Sequence, residues 1–165
     1  MITVRPIAAS DHEAWSALYA AYADFYQAVQ TPAMRDTVWS WLHDEAHEVK
    51  GFIAVNDAGE AVGLAHYRPY SRPLSASVGG FLDDLFVTPG ARGHEAGKQL
   101  IAAIVQEARK RNWTVIRWIT AENNYRARSS YDKIAVRTPW VTYDIKLETT
   151  DQSEPKPDAT IGSAS

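Results

Sequence analysis

Residues 88–101 read TPGARGHEAGKQLI, and how this stretch folds decides how the rest of the chain is read. Just before it lies GFLDDLFV (80–87), a hydrophobic strand that Pro89 stops. After it, Leu100, Ile101, Ile104, Val105 and Ala108 recur at helical spacing, the mark of an amphipathic helix of several turns. A strand, a glycine-containing turn and a helix leave unpaired backbone N–H groups at the helix start. Those donors and the helix dipole favour a bound anion such as phosphate. Gly93 and Gly97 supply the bare backbone that lets an anion come close. Glu95 opposes this, because it puts an acid where such a loop wants no side chain. Two like charges about 4 Å apart cost about 1 kcal/mol in water and more in a drier site. The acid is accommodated if it points outward at the helix N-terminus, or if Arg92, His94 or Lys98 offsets it.

The whole chain bounds the reading. Its 165 residues suit one domain with its own core, expected over 1–148, with 149–165 (TTDQSEPKPDATIGSAS) as a flexible tail too polar to offset its ordering entropy. Hydrophobic residues at 45% and charged residues at 22% are the mix of a soluble globular protein. No apolar run approaches the roughly 20 residues that cross a bilayer, so no membrane partner is expected. The start, MITVRPIAASDHEAW, lacks the pattern of a secretory signal, and the expected address is the cytoplasm. The absence of cysteine excludes disulfides, a thiol nucleophile and thiolate metal sites. A net charge of −3 argues against a nucleic-acid partner.

The elements follow from periodicity and punctuation. ITVRPI (2–7) is a short strand, and Ser10 with Glu13 predicts a capping box. The helix that follows carries Trp15, Leu18, Tyr19, Tyr22 and Tyr26 at helical spacing, a stripe read first as core. A second helix after Pro32 runs through Val38, Trp39 and Leu42. His43 and His47 fall at i, i+4 and would share one helical face, read as solvated rather than as a metal pair because no third ligand is evident. GFIAV and AVGLAHYR flank the turn NDAGE as a hairpin. TVIRWIT is a strand, NYRARSSYDKIA a short helix, and WVTYDIKL a closing strand of period 2. The order β, α, α, β, β, β, α, β, α, β predicts an α/β fold. Its central sheet is mixed and mostly antiparallel, with one parallel pair and helices on both faces.

Two motifs carry a resemblance. LFVTPGARGHEAG resembles the signature Arg/Gln-x-x-Gly-x-Gly/Ala of the GNAT acetyltransferase superfamily, preceded by a strand ending Val-x-Pro. NYRARSSYD resembles that family's Asn-x-x-Ala-x-x-x-Tyr segment, with Asn124, Ala127 and Tyr131 in register. The resemblance covers roughly residues 2–147, is strongest over 82–132, and is nearest the histone- and polyamine-type branch. The departure is Glu95, where the family has glycine.

The resemblance implies an N-acetyltransferase that moves an acetyl group from acetyl-CoA directly to a primary amine, with no metal. Residues 92–98 (Arg92, Gly93, His94, Glu95, Ala96, Gly97 and Lys98) would hold the pyrophosphate. The backbone of Leu85, Phe86 and Val87 would pair with the pantetheine arm, where this strand splays from its parallel neighbour, and Asn124 would bond the same arm or cap its own helix. Tyr131 would protonate the leaving thiolate, since a phenol keeps its proton at neutral pH. The acceptor is an amine, either a small molecule or a protein lysine. A homodimer fits the family, with the closing strand as a pairing edge. The alternative is a catalytically weakened acyl-CoA-binding or sensor domain, because of Glu95.

Asp83 and Asp84 are acids inside an apolar strand, where a carboxylate needs a partner. Alternation sends them to opposite faces. Asp84 is the leading candidate for base or ammonium anchor, ahead of Asp83 and Glu122. The bland reading satisfies it with Arg117, a Tyr or backbone. The family's first two helices flank the acceptor groove, so exposed tyrosines of the stripe would hold an amine by cation–π contact.

Overall fold

Residues 50–87 build the centre of the fold because their apolar side chains alternate along three successive strands. The structure is a computed structural model that describes residues 1–93 and 95–148. In it β2 (Lys50–Asn56), β3 (Ala61–Arg72) and β4 (Ser77–Val87) pair antiparallel in sequence. β1 (Ile2–Pro6) adds antiparallel to β2, and β5 (Ile116–Arg117) adds parallel to β4. The result is a five-stranded sheet in the order β1-β2-β3-β4-β5. The NDAGE turn closes as expected. Asn56 Oδ1 accepts from the N–H groups of Ala58 and Glu60, and Gly59 takes the left-handed backbone at φ 81°.

Each face of the sheet carries helices. Ile53, Leu64 and Phe86 point to the face covered by α1 (His12–Phe25), where they bury Trp15 and Leu18. α2 (Pro32–His43) adds Val38, Trp39 and Leu42 to the same cluster. On the other face lies α3 (Ala96–Lys110), whose Leu100 and Ile104 are fully buried. Gly63 of β3 is what lets α3 sit so close. A Cβ there would stand 2.8 Å from the Phe86 carbonyl oxygen and 3.3 Å from Leu100 Cδ1. The mixed, mostly antiparallel sheet with a parallel pair and helices on both faces is as the sequence predicts.

Local details differ from the expectation. Ser10 does not cap α1. A 3-10 turn, Ala9–Asp11, precedes the helix, and Asp11 organises its entry. Asp11 accepts from the Ala8 N–H at 2.7 Å and from the Arg5 guanidinium in two parallel bonds of 2.6 and 2.8 Å. A charge-assisted bidentate pair outcompetes a hydroxyl cap. α2 does begin at Pro32, with Thr31 Oγ1 accepting the Met34 N–H. It ends at His43, so His47 lies in the following turn and shares no helical face with it. There His47 stacks on Trp41, and its Nδ1 accepts the Val49 N–H.

Where TVIRWIT predicts a full strand, β5 pairs through Ile116 and Arg117 alone, opposite Gly80 and Phe81. β4 bulges just beyond, because His66 pairs with Asp84 while Tyr67 pairs with Leu82, leaving Asp83 as the extra residue. A bulge bends its strand and raises the local twist, and the parallel ladder stops at that point.

The chain forms two units, Met1–Ala121 and Glu122–Ser165. The first holds the sheet and α1–α3. In the second, α4 (Tyr125–Tyr131) is capped by Asn124, whose Oδ1 accepts the Ala127 N–H at 3.3 Å. The closing strand does not form. WVTYDIKL is irregular, and Trp140, Tyr143, Ile145 and Leu147 are exposed. A period-2 segment becomes a strand only against a pairing edge, and among its described residues this unit offers none. The tail expected over 149–165 lies outside the described residues.

The Arg5–Asp11 pair gives a pH signature. The Arg5 guanidinium, with help from the Ala8 N–H, holds the buried Asp11 carboxyl below the usual carboxylate range. A carboxyl lowered on folding stabilises the fold above its unfolded pKa, and that contribution is lost as pH falls through its folded value. Asp11→Asn is therefore expected to flatten the acid limb of a stability-versus-pH curve measured by urea unfolding. Its cost near neutral pH is expected to be about 1 kcal/mol, since Arg5 is free to return to water.

Candidate active site

Asp84 sits at the middle of β4, directly opposite His66 of β3, and both side chains point toward α1. The buried Trp15 indole donates to His66 Nε2 at 2.9 Å. An indole N–H is a donor only, so Nε2 must accept and the ring proton sits on Nδ1. That Nδ1–H donates to Asp84 Oδ2 at 2.8 Å. The Tyr19 hydroxyl donates to the same oxygen at 3.0 Å. One chain of polar contacts thus ties α1 to the two central strands inside an otherwise apolar cluster. His66 is closed to solvent, with 2% of its side chain exposed, whereas Asp84 at 20% opens outward.

Around Asp84 the α1 stripe makes an aromatic wall. Tyr19 stacks near Tyr22 at 6.2 Å, and Tyr22 leans on Phe86 at 5.8 Å and Tyr26 at 5.0 Å. Burial, and then the neighbouring Asp84, push the Tyr19 and Tyr22 phenols above their ordinary range. Both therefore serve as donors and not as bases. Trp15 and Leu18 are core, as the stripe implies, while Tyr26 is exposed beyond the helix end.

Asp83 does not turn to the opposite face. As the extra residue of the bulge it escapes simple alternation, and its carboxyl meets Arg68 Nε at 3.1 Å. Arg68 lies two residues beyond His66 on β3, so the Asp83–Arg68 and Asp84–His66 pairs share one face. Burial raises the Asp83 carboxyl, and Arg68 opposes that shift. The Arg68 guanidinium lies 5.1 Å over the Phe81 ring. Its Nη nitrogens make no hydrogen bond among the described residues. Arg117 is not a partner of Asp84, because it lies over Tyr70.

Leu85, Phe86 and Val87 pair with Ala65, Leu64 and Gly63 of β3, past the end of the β4–β5 ladder. Arg92 folds back on this strand end. Its Nε donates to the Val87 carbonyl at 3.2 Å, and its guanidinium lies 4.9 Å over the Phe25 ring. Gly93 takes φ 94°, and Glu95, the N-cap position of α3, takes φ 67°. Both are left-handed conformations that glycine adopts freely and glutamate does not, the backbone reason a glycine suits position 95. The Glu95 side chain points out, bonded to Lys98 at 2.7 Å, which lowers its carboxyl. It leaves the first turn of α3 without a side-chain cap. Ala96 is buried, and a Cβ built on Gly97 meets nothing nearer than Val87 at 3.8 Å, so space lies open over that turn. Of the offsetting partners the sequence names, Lys98 is the one used. His94 lies outside the described residues.

The first unit thus brings together Asp84, Leu85, Phe86, Val87, Arg92, Gly93, Glu95, Ala96, Gly97 and Lys98. Asn124 and Tyr131 belong to the second unit, where Asn124 caps α4 and the Tyr131 carbonyl accepts from the Ile134 and Ala135 N–H groups. His66 is the site residue that sequence reading overlooks. Its signal is a lone imidazole in the apolar run AVGLAHY, at the register position of an intrastrand acid.

A sequence profile described as the acetyltransferase (GNAT) family matches residues 15–135. The chain is 30% identical over 143 residues to the D-amino-acid N-acetyltransferase HPA3 of Saccharomyces cerevisiae, spanning 86% of this chain and 89% of that protein. Its fold is shared with a ribosomal-protein-alanine N-acetyltransferase from Brucella melitensis biovar Abortus 2308, at a TM-score of 0.74 and 21% identity over 89% of this chain and 99% of that one. The structure of AAC(6')-Iy in complex with the bisubstrate analog CoA-S-monomethyl-acetylneamine is similar at a TM-score of 0.75 and 22% identity, again over 89% of this chain and 99% of that one.

The strained position 95 is directly testable. Glu95→Gly relaxes the left-handed backbone at the loss of one exposed ion pair. The variant is expected to melt at or above the temperature of the natural chain in a thermal scan, and a clear drop would show that the Lys98 pair outweighs the backbone.

Proposed function

The chain belongs to the acetyltransferase (GNAT) family, and from that premise we propose that it transfers an acetyl group from acetyl-CoA to a primary amine by direct attack in a ternary complex. The observation that carries this reading is the partly exposed Asp84, oriented by Tyr19 and His66 where β4 parts from β5.

The residues present fit the cosubstrate. The open first turn of α3, with Gly97 free of close neighbours and Glu95 turned out to Lys98, leaves backbone N–H groups for the pyrophosphate. Leu85, Phe86 and Val87 lie past the ladder's end and offer strand-like pairing to the pantetheine arm. When bound there, acetyl-CoA supplies the thioester carbon that the amine attacks.

The acceptor arrives as an ammonium ion. Asp84 anchors it and takes one proton, which frees the nitrogen lone pair. Tyr19 and Tyr22 keep their protons and hold the carboxyl and the amine-side surface in place. The C–N bond then forms as the C–S bond breaks, the nitrogen sheds its second proton to solvent, and the leaving thiolate takes a proton from Tyr131, which solvent restores. No covalent enzyme intermediate is needed, in keeping with a chain without cysteine.

For the acceptor, amino acids are the leading class. The HPA3 relative is a D-amino-acid N-acetyltransferase by name. On the face that carries Asp84, the Arg68 guanidinium lies over the Phe81 ring and is bonded through Nε to Asp83, with its Nη edge available to a carboxylate. An α-amino acid carries both charges in the required pair.

An acetylation assay over D- and L-amino acids, their amides and simple amines tests the reading. Asp84→Asn is expected to lower kcat about 10²- to 10⁴-fold while acetyl-CoA still binds in a calorimetric titration. Arg68→Met is expected to lower kcat/KM for amino acids about 100-fold and to leave amines without a carboxylate unchanged. Acetyl-CoA binding without transfer to any amine would favour the sensor alternative, and no binding by either the natural chain or Glu95→Gly would overturn the proposal.

A further inference from the structure

We propose that His66 is a positioning residue for acetyl transfer. Trp15 fixes the ring as its Nδ1–H tautomer, and that donor, together with Tyr19, pins Asp84 Oδ2 so that Oδ1 faces the acceptor amine. This rests on the reading of Asp84 as the base.

Geometry carries the assignment. A carboxyl group turns about its last bond with little preference, so one hydrogen bond alone leaves its oxygens poorly aimed. Here two donors from different elements, His66 of β3 and Tyr19 of α1, converge on the same oxygen at 2.8 and 3.0 Å. That convergence distinguishes Oδ2 from Oδ1. The direction of the first donor is not free either, because a neutral imidazole offers one N–H and one lone pair, and the far partner decides which nitrogen has which. Trp15 can only donate, so it reserves Nε2 as the acceptor. The indole thus sets the orientation of a carboxyl that it does not touch.

Burial argues against a merely filling role. His66 is buried with the Trp15 and Tyr19 rings against it, where an apolar side chain of similar size would pack without desolvating a polar ring. Both ring nitrogens are used, and the two bonds form one continuous line of contacts from the core to the partly open carboxyl. A base gains from such a line because proton transfer needs the accepting oxygen within hydrogen-bond reach of the amine in the productive pose. A displacement of about 1 Å can lower turnover about 100-fold.

Two amide substitutions separate the two ends of the ring. His66→Asn places an N–H near the position of Nδ1 and keeps the donor to Asp84. His66→Gln places its amide near Nε2, where it can satisfy Trp15 while withdrawing the donor from Asp84. With both variants checked for folding by circular dichroism and for acetyl-CoA affinity by calorimetry, His66→Gln is expected to lower kcat about 10- to 100-fold with the amine KM little changed. His66→Asn is expected to keep kcat within about threefold of the natural chain, a rescue that a structural role alone would not give. Independently of activity, a two-bond ¹H–¹⁵N correlation spectrum of the full chain labelled in histidine, with His66 identified by its loss in His66→Gln, is expected to show the Nδ1–H form. Trp15→Phe is expected to lose that form and to lower kcat. An Nε2–H tautomer in the natural chain overturns the proposal, as do equal kcat values in the two amide variants. If instead Asp84→Asn turns over normally, the base assignment fails while the tautomer stands, so the two readings fail separately.

Discussion

A carboxyl group in the middle of an apolar strand has to be solvated by the protein, and Asp84 is the residue around which this fold arranges that solvation. Its partners come from two elements: β3 supplies His66 at the facing register position, and α1 supplies Tyr19 directly and Trp15 through the imidazole. The same contacts set where α1 lies along the sheet, since Trp15 and Leu18 pack on Ile53, Leu64 and Phe86 of that face. Packing and polar satisfaction are met by one helix in one register, which is how a buried polar network makes a fold specific.

The bulge in β4 serves the same end. By inserting Asp83 it gives one face a second acid and a half-buried arginine, and it coincides with the end of pairing to β5. The strand therefore changes role along its length. Up to Phe81 it is an interior strand, and beyond the bulge its pairing with β5 has ended, beside the turn that leads into α3. At that turn, the glutamate that looked most hostile to an anion is resolved by a backbone conformation that swings its side chain out to Lys98.

What was legible in the sequence was what local periodicity and punctuation determine. The α3 stripe, the NDAGE turn, the strand ending at Val87 and the start of α2 at Pro32 each carry their own signal over a few residues. What was not legible depends on partners distant in the chain. Ser10 looks like a cap until Arg5 claims Asp11. WVTYDIKL alternates correctly, but alternation does not supply an edge to pair with. Parity sends Asp83 and Asp84 to opposite faces until a bulge adds a residue, and nothing in AVGLAHY says that its histidine will face an acid. The candidate base was readable as an unusual residue in an apolar strand, whereas its orientation was written in the register between strands.

Trp15 ends this chain of contacts with an optical property. Its indole N–H is bonded to a ring whose other nitrogen holds the site carboxyl, and a second indole, Trp39, lies 5.0 Å away. Indole emission responds to hydrogen bonding at its nitrogen and to charge nearby. The contacts of Asp84 thus end on a chromophore closed to solvent, so that carboxyl is coupled through one imidazole to an intrinsic fluorophore.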